Sequence, residues 1–320
     1  MFACPYCWME AKKFGIRNGI QRYRCKSCGK MFSDRPARMF GTMRLEPAKA
    51  IDCLRLLLEG NSIRSTQRLT GVDRNTIMAL LLRAGRNCKF FLEKIIHKIP
   101  VNDVQADEIW SFIRCKERVR ELLNLPEYFG DAYCFVALDR KTKLVLAWHL
   151  GRRSVRDTEL FVKKLRNATW GRYQITTDGF SPYRVAIPWL LNGNVDFAQL
   201  VKVYASPREA EQRYSPAQVV DVIYKPVSGD PNLDLICTSH VERQNLTMRM
   251  QIRRFTRLTN GFSKKWQHHE AAIALWFAYY NFCRVHSSHK HTPAVAAGIT
   301  GSVWSVMELM EKAATSSQTL

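Results

Sequence analysis

The chain has 320 residues, 46% of them hydrophobic, enough to bury a sizeable core in two or three domains. Its 49 lysines and arginines against 28 acids leave a net charge of +21, which points to a polyanionic partner such as DNA, RNA or an anionic membrane surface. No apolar run approaches 18 residues and the opening MFACPYCWME lacks a basic stretch followed by an apolar core, so neither a membrane span nor a signal peptide is expected.

Four of the ten cysteines cluster in two pairs at the start and six lie singly, the pattern of a reducing cytoplasm with one metal site. Residues 1–100 carry 20 basic and 7 acidic side chains, and residues 240–290 carry 9 and 2, so two basic regions flank a nearly neutral middle.

Cys4-Pro-Tyr-Cys7 and Cys25-Lys-Ser-Cys28 are knuckles separated by 17 residues. Four thiolates at this spacing close a tetrahedral Zn²⁺ site with no open position, so the metal is structural. Between them, GIRNGIQRYRC predicts a hairpin turning at Asn18-Gly19, and residues 1–38 read as a zinc ribbon. Arg22 and Arg24 make it basic and are candidate DNA contacts.

Residues 44–97 turn to helical period. EPAKAIDCLRLLLEG is one helix; SIRSTQRLT is a second, capped by Ser62; and Asp73 caps a third after the turn Thr70-Gly71-Val72. Ile63, Leu69, Val72, Ile77 and Leu81 are the expected small core. The order is that of a helix-turn-helix DNA-binding domain, with Arg74, Asn75 and Arg83 on the DNA side of the recognition helix. KFFLEKIIHKIPVND reads as a closing helix or linker ended by Pro100.

Beyond Pro100 the pattern is three strands, helix, strand, helix, strand, the order of an α/β ribonuclease H-like core over residues 101–300, followed by a carboxy-terminal helix and tail at 301–320. Asp107 falls on the first strand and Asp178 at the end of a central one. TSHVERQNLTMRMQIRRFTR, residues 238–257, is expected to form one amphipathic helix with Val241, Leu246, Met250 and Phe255 apolar and Glu242, Asn245, Arg249 and Arg253 sharing a face.

Three carboxylates so placed suit two Mg²⁺ (or Mn²⁺) ions roughly 3.5–4 Å apart, which activate a nucleophile and stabilise a leaving oxygen at a phosphodiester. Asp107 is assigned as the bridging ligand, with Asp178 and Glu242 flanking; Glu108 should point to the opposite face of its strand and is set aside. Arg249 and Arg253, with Lys264 and Lys265 at the basic start of a later helix (GFSKKWQHH), are the remaining candidate DNA contacts, and His268 and His269 belong to the same basic start.

Asp107-Glu-Ile-Trp-Ser-Phe, Thr177-Asp178-Gly179 and His240-Val-Glu242-Arg-Gln-Asn resemble the three acidic blocks of DDE transposases, with Arg249 seven places after the glutamate as in that superfamily. Tyr280-Asn281 through Ser287 and Thr292-Pro293-Ala294 are similar to the closing helix of insertion-sequence transposases and retroviral-type integrases. With a zinc ribbon and helix-turn-helix ahead, the chain most resembles the insertion-sequence-one family over about residues 1–300.

The resemblance implies Mg²⁺-dependent cutting at terminal inverted repeats, transfer of the 3′ ends into double-stranded target DNA, a homodimer or higher assembly, and a bacterial cytoplasmic, nucleoid-associated setting. The chain departs from it in the 63 residues between Asp178 and Glu242, where about 206–235 reads as an inserted surface excursion. Two alternatives share these residues: a non-catalytic DNA-binding regulator, and a ribonuclease H-like nuclease that cuts without joining.

Overall fold

The computed structural model describes residues 2–4, 7–17, 19–33, 39–41, 43–191, 193–205, 219–256 and 259–316. At the amino terminus β1 (Phe2–Ala3), β2 (Glu10–Arg17), β3 (Ile20–Cys25) and β4 (Met31–Ser33) form an antiparallel sheet in sequence order. Gly19 lies between β2 and β3 with φ 74°, the left-handed value that a two-residue hairpin turn requires. Its predicted companion Asn18 lies outside the described residues.

Three helices follow. Helix α1 (Pro47–Leu58) starts where Glu46 accepts from the Ala48 and Lys49 N–H groups. Helix α2 (Ile63–Thr70) starts where Ser62 accepts from Ser65 N–H and stops at Gly71, φ 70°. Helix α3 (Arg74–Ile95) starts where Asp73 accepts from Asn75 N–H.

Two expectations change here. Nothing after Arg86 breaks the helical period, so the third helix and the segment expected as a closing helix or linker are one 22-residue helix. Val72, Ile77 and Leu81 are buried as expected, but Leu69 is 65% exposed; the buried position of α2 is Thr66. In so short a helix only one narrow stripe meets α1 and α3, and Leu69 is off it.

Next come β5 (Ile99–Pro100), β6 (Asp103–Ile113), α4 (Glu117–Leu122), β7 (Gly130–Asp139), β8 (Val145–Gly151), α5 (Val155–Ala168), β9 (Thr169–Trp170), β10 (Tyr173–Thr177), α6 (Tyr183–Leu190), β11 (Val195–Tyr204) and β12 (Val219–Ser228). A six-stranded sheet has the order β12-β11-β10-β6-β7-β8. β6, β10 and β11 run parallel, joined through α5 and α6, while β7, β8 and β12 are antiparallel to their neighbours. The expected strands and intervening helices are thus present in a mixed α/β fold. Part of the expected excursion is an added strand: β12 pairs with β11 from Phe197↔Ser228 to Tyr204↔Val219, and residues 206–218 lie outside the described residues.

Helix α7 (Ser239–Gln251) follows, then a 3-10 turn at Arg253–Phe255, α8 (Trp266–Phe282), α9 (Pro293–Ala296) and α10 (Val306–Ser316). The expected single helix over 238–257 therefore stops at Gln251. Its buried face is Val241, Gln244, Asn245 and Met248, whereas Leu246 and Met250 are 47% and 66% exposed. Polar residues face inward because α7 lies against the acidic end of the sheet.

One continuous hydrophobic core runs from Phe40 through α1–α3, both faces of the sheet, α8 and α10. Helix α3 packs on α8, the Phe91 ring lying 5.1 Å from that of Phe282. Gly85 makes this crossing close: a Cβ added there would sit 2.3 Å from the Ala271 carbonyl oxygen. Although alanine is the better helix former by about 1 kcal/mol, Gly85→Ala should lower stability by about 2 kcal/mol in chemical denaturation, because backbone must yield. An unchanged or raised midpoint would mean that the two helices do not approach so closely.

Candidate active site

Strand β6 organises the site. Gln105, fully buried on it, accepts from the backbone N–H groups of His240 and Val241 in the first turn of α7, at 3.0 and 3.1 Å. These are N–H groups that a helix cannot satisfy internally, so a side chain of the sheet caps the helix. Thr238, at the usual capping position, makes no side-chain bond to the helix backbone; its hydroxyl donates to Glu242 Oε1 at 2.6 Å. Two residues along β6 from Gln105, Asp107 Oδ2 accepts from Asn245 Nδ2 at 2.8 Å. Helix α7 is thus held to β6 at both its first and second turns.

Asp178 follows directly on β10, whose last residue Thr177 pairs with Ala106, so the parallel register brings Asp178 beside Asp107. Its Oδ1 accepts from Phe180 N–H at 3.0 Å, and Gln199 of β11 donates to the carbonyls of Asp178 and Phe180 at 2.8 and 3.2 Å, fixing the turn. Asp107, Asp178 and Glu242 all line one open cleft of about 550 Å³, together with Arg153, Phe180 and Lys202. Glu242 Oε1 is also bound by the Lys202 ammonium.

Glu108 does not point away. Carboxylate oxygens of Asp107, Glu108 and Asp178 lie within 4.8 Å of one another. Strand β10 ends opposite Ala106, so beyond that point no strand on that side of β6 separates its two faces. The Glu108 side chain is 2% exposed, with Arg153 Nη2 at 3.3 Å from Oε2.

Gathering these acids is costly, and their protonation shows it. Burial, then Asp178 and Glu242, pushes Asp107 up to about 6. Burial, then Asp178, pushes Glu108 up to about 8. Burial also raises Asp178, opposed by the Phe180 N–H and Arg153.

The residues fit divalent cations such as Mg²⁺ or Mn²⁺. Every donor is a hard oxygen, the carboxylates raise one another's affinity for positive charge, and the buried Asn245 Oδ1 has no hydrogen-bond partner among the described residues.

The amino-terminal cysteines also converge. Cys4, Cys7, Cys25 and Cys28 sulfurs lie within 4.8 Å of one another, with Cys4–Cys28 at 3.6 Å and Cys7–Cys25 at 3.4 Å. These separations are far beyond a disulfide and close to the edge of about 3.8 Å expected for thiolates 2.3 Å from Zn²⁺. Cys25 accepts from Ser27 and Cys28 N–H, and these bonds, Cys28 first, pull its thiol down to about 6.

The expected DNA contacts lie on separate elements. Arg22 and Arg24 flank the Phe14 ring in the ribbon, at 5.5 and 5.9 Å. Arg74 and Asn75 are exposed at the start of α3, and Arg83, further along it, lies over Gly41. Arg249 and Arg253 are half-buried around the end of α7, and Lys264 and Lys265 are exposed just before α8. His269 is not part of that basic start: it is fully buried, hydrogen-bonded to Ser111 and Ser263, and burial pushes it down to about 3. Among the described residues, no helix is long and apolar enough to cross a membrane.

Gln105, Glu108, Arg153 and Lys202 are the site residues that sequence reasoning did not select. The run Asp107-Glu108 was visible; the other three become distinctive only once the chain folds.

Neither a family model nor a curated protein matches this chain. Among solved structures, it is similar to the cryo-EM structure of a piggyBac transposase synaptic complex with hairpin DNA, at 14% identity over 87% of this chain and 72% of that chain. The TM-score is 0.37, too low a likeness to carry an argument.

The Glu108 geometry sets a pH dependence. The unfolded chain releases this proton near the ordinary 4.5 whereas the folded chain keeps it to about 8, so stability falls as pH rises through that window. Glu108→Gln should therefore melt higher than the parent at pH 8.5 in magnesium-free buffer, the gap closing toward pH 5. A gap independent of pH would mean that Glu108 is not held protonated.

Proposed function

We propose that this chain is a DDE transposase: it binds the terminal inverted repeats of its element, cuts DNA strands with Mg²⁺ and joins the freed 3′ ends to target DNA. The observation that carries the reading is the convergence of Asp107, Asp178 and Glu242 on one open cleft from a strand, the end of the parallel neighbour strand and a helix. The strand order β8-β7-β6-β10-β11, with β7 antiparallel and helices on the crossovers, supports a ribonuclease H-like core, with β12 added at its edge.

In this reading Asp107, Asp178 and Glu242 would hold the cations. When bound, the cations supply Lewis-acid stabilisation of the attacking and leaving oxygens. Asn245 donates to one oxygen of the Asp107 carboxylate and the Glu108 N–H donates to the other, each at 2.8 Å, which fixes its orientation. Gln105 and Thr238 fix where Glu242 stands, and Gln199 fixes Asp178.

Zn²⁺ held by Cys4, Cys7, Cys25 and Cys28 would keep the ribbon folded and take no part in the chemistry. The ribbon and the helices α2–α3, as a helix-turn-helix presenting Arg74 and Asn75, would read the element ends, while Arg249, Arg253, Lys264 and Lys265 would meet backbone phosphates. Two ends must be held together for joining, so a homodimer or larger assembly follows. Phosphate contacts make binding steeply salt-dependent.

The test uses labelled duplexes from the borders of the chain's own gene, a plasmid target and Mg²⁺. Label joined to the plasmid is expected, with Asp107→Asn, Asp178→Asn and Glu242→Gln each lowering the rate at least about 100-fold while border binding stays within a few-fold. Cutting without joining would make the protein a nuclease. Border binding without cutting would make it a regulator.

A further inference from the structure

Arg153, between β8 and α5, is the one guanidinium lining the acidic cleft among the described residues. Its Nη2 lies 3.3 Å from Glu108 Oε2 and 3.6 Å from Asp178 Oδ2. The guanidinium carbon stands 4.2 Å from the centroid of the Phe180 ring, and 5.9 Å from that of Tyr133. Stacked on one aromatic face and flanked by another, the planar group has its orientation set before any ligand arrives.

Three features separate it from a simple counter-ion. Glu108, which it pairs with, is 2% exposed, yet the Arg153 side chain is 41% exposed to the cleft. Both ion pairs use Nη2, and neither Nε nor Nη1 makes a hydrogen bond among the described residues. Both pairs are also longer than the 2.7–2.9 Å of a charge-assisted hydrogen bond. Nε and Nη1, on different edges of the plane, keep their N–H groups for a ligand, and Nη2, which both edges share, is held only by these two long pairs.

We propose that Arg153 binds the scissile phosphate or the phosphate next to it, its fork on the non-bridging oxygens and its face on Phe180. This rests on the reading of the cleft as a phosphoryl-transfer site and names the residue that holds the anion there. Three acids (Asp107, Asp178, Glu242) line the cleft beside only two cations (Arg153, Lys202), so an incoming phosphodiester meets an excess of acidic groups until divalent cations neutralise them. With divalent cations among the acids, the pull of Glu108 and Asp178 on Arg153 weakens, and the phosphate becomes its natural partner. Lys202 is tied to Glu242 and offers a point charge without the fork.

The test measures coupling between Arg153 and one phosphate. Border duplexes carry a single neutral methylphosphonate at successive positions around the cut; cutting is followed in Mg²⁺, and DNA binding and Mn²⁺ binding are measured separately. The parent should lose about 100-fold in rate at one position, and Arg153→Ala should lose about as much on unmodified DNA but little more at that position. Arg153→Lys should fold as the parent does and show an intermediate coupling. Mn²⁺ affinity in Arg153→Ala should be unchanged or higher, since a cation beside the acids has gone.

Equal losses at every neutral position in parent and variants, cutting by Arg153→Ala within threefold of the parent, or Mn²⁺ binding that falls in step with cutting would each overturn the proposal. The last would make Arg153 a support for the acids. A parent chain that cuts no border duplex would instead overturn the transposase reading on which the proposal rests.

Discussion

Three hydrogen bonds between strand β6 and helix α7 govern the rest of the site. Gln105 accepts from the backbone of the helix's first turn and Asp107 accepts from Asn245 one turn later, so two side chains of the same strand set both the position and the rotation of α7. Because Glu242 lies between those turns, its place relative to Asp107 is fixed by backbone and amide geometry. The far end is anchored too. Arg254 reaches Ser263, which binds His269, which binds Ser111 back on β6, a buried polar chain in which every member has a partner. Helix α7 buries Val241 and Met248 in the core, but half of its buried face is Gln244 and Asn245, so these bonds share its docking with apolar packing.

That docking opposes an electrostatic cost. Carboxylates crowd at the end of β10, where the sheet narrows and burial removes water, and Asp107 and Glu108 retain protons well above the ordinary carboxylate range. Arg153 and Lys202 relieve part of the repulsion. The same gathering of acids that is costly by itself is what divalent cations would stabilise, so the cost and the proposed chemistry have one origin.

Much of this was legible in the sequence, for local reasons. The cysteine spacing, the caps at Ser62 and Asp73, the glycine at 71 and an acid at the end of a short strand each depend on a few neighbouring residues. Other features depend on distant partners. Gln105 is an unremarkable polar residue until a helix 135 positions later is docked on it. Glu108 was misplaced because strand alternation assumes a neighbour strand on each side, and β10 stops opposite Ala106, two residues short of Glu108. Arg153 and Lys202 are two among 49 basic residues, and only the folded sheet sets them beside the acids. Exposure of Leu246 and Met250 follows from the polar surface that α7 must face, which its own periodicity does not reveal.

The most direct measurement is Mn²⁺ binding to the full-length protein without DNA, followed by the loss of the free-ion electron paramagnetic resonance signal. Saturable binding is expected, weakened at least about tenfold by Asp107→Asn and by Glu242→Gln alike, because acids from the strand and the helix would share the site. Binding indifferent to both substitutions, or sensitive to Asp107 and not to Glu242, would contradict the idea that the β6–α7 clamp exists to complete a cation site.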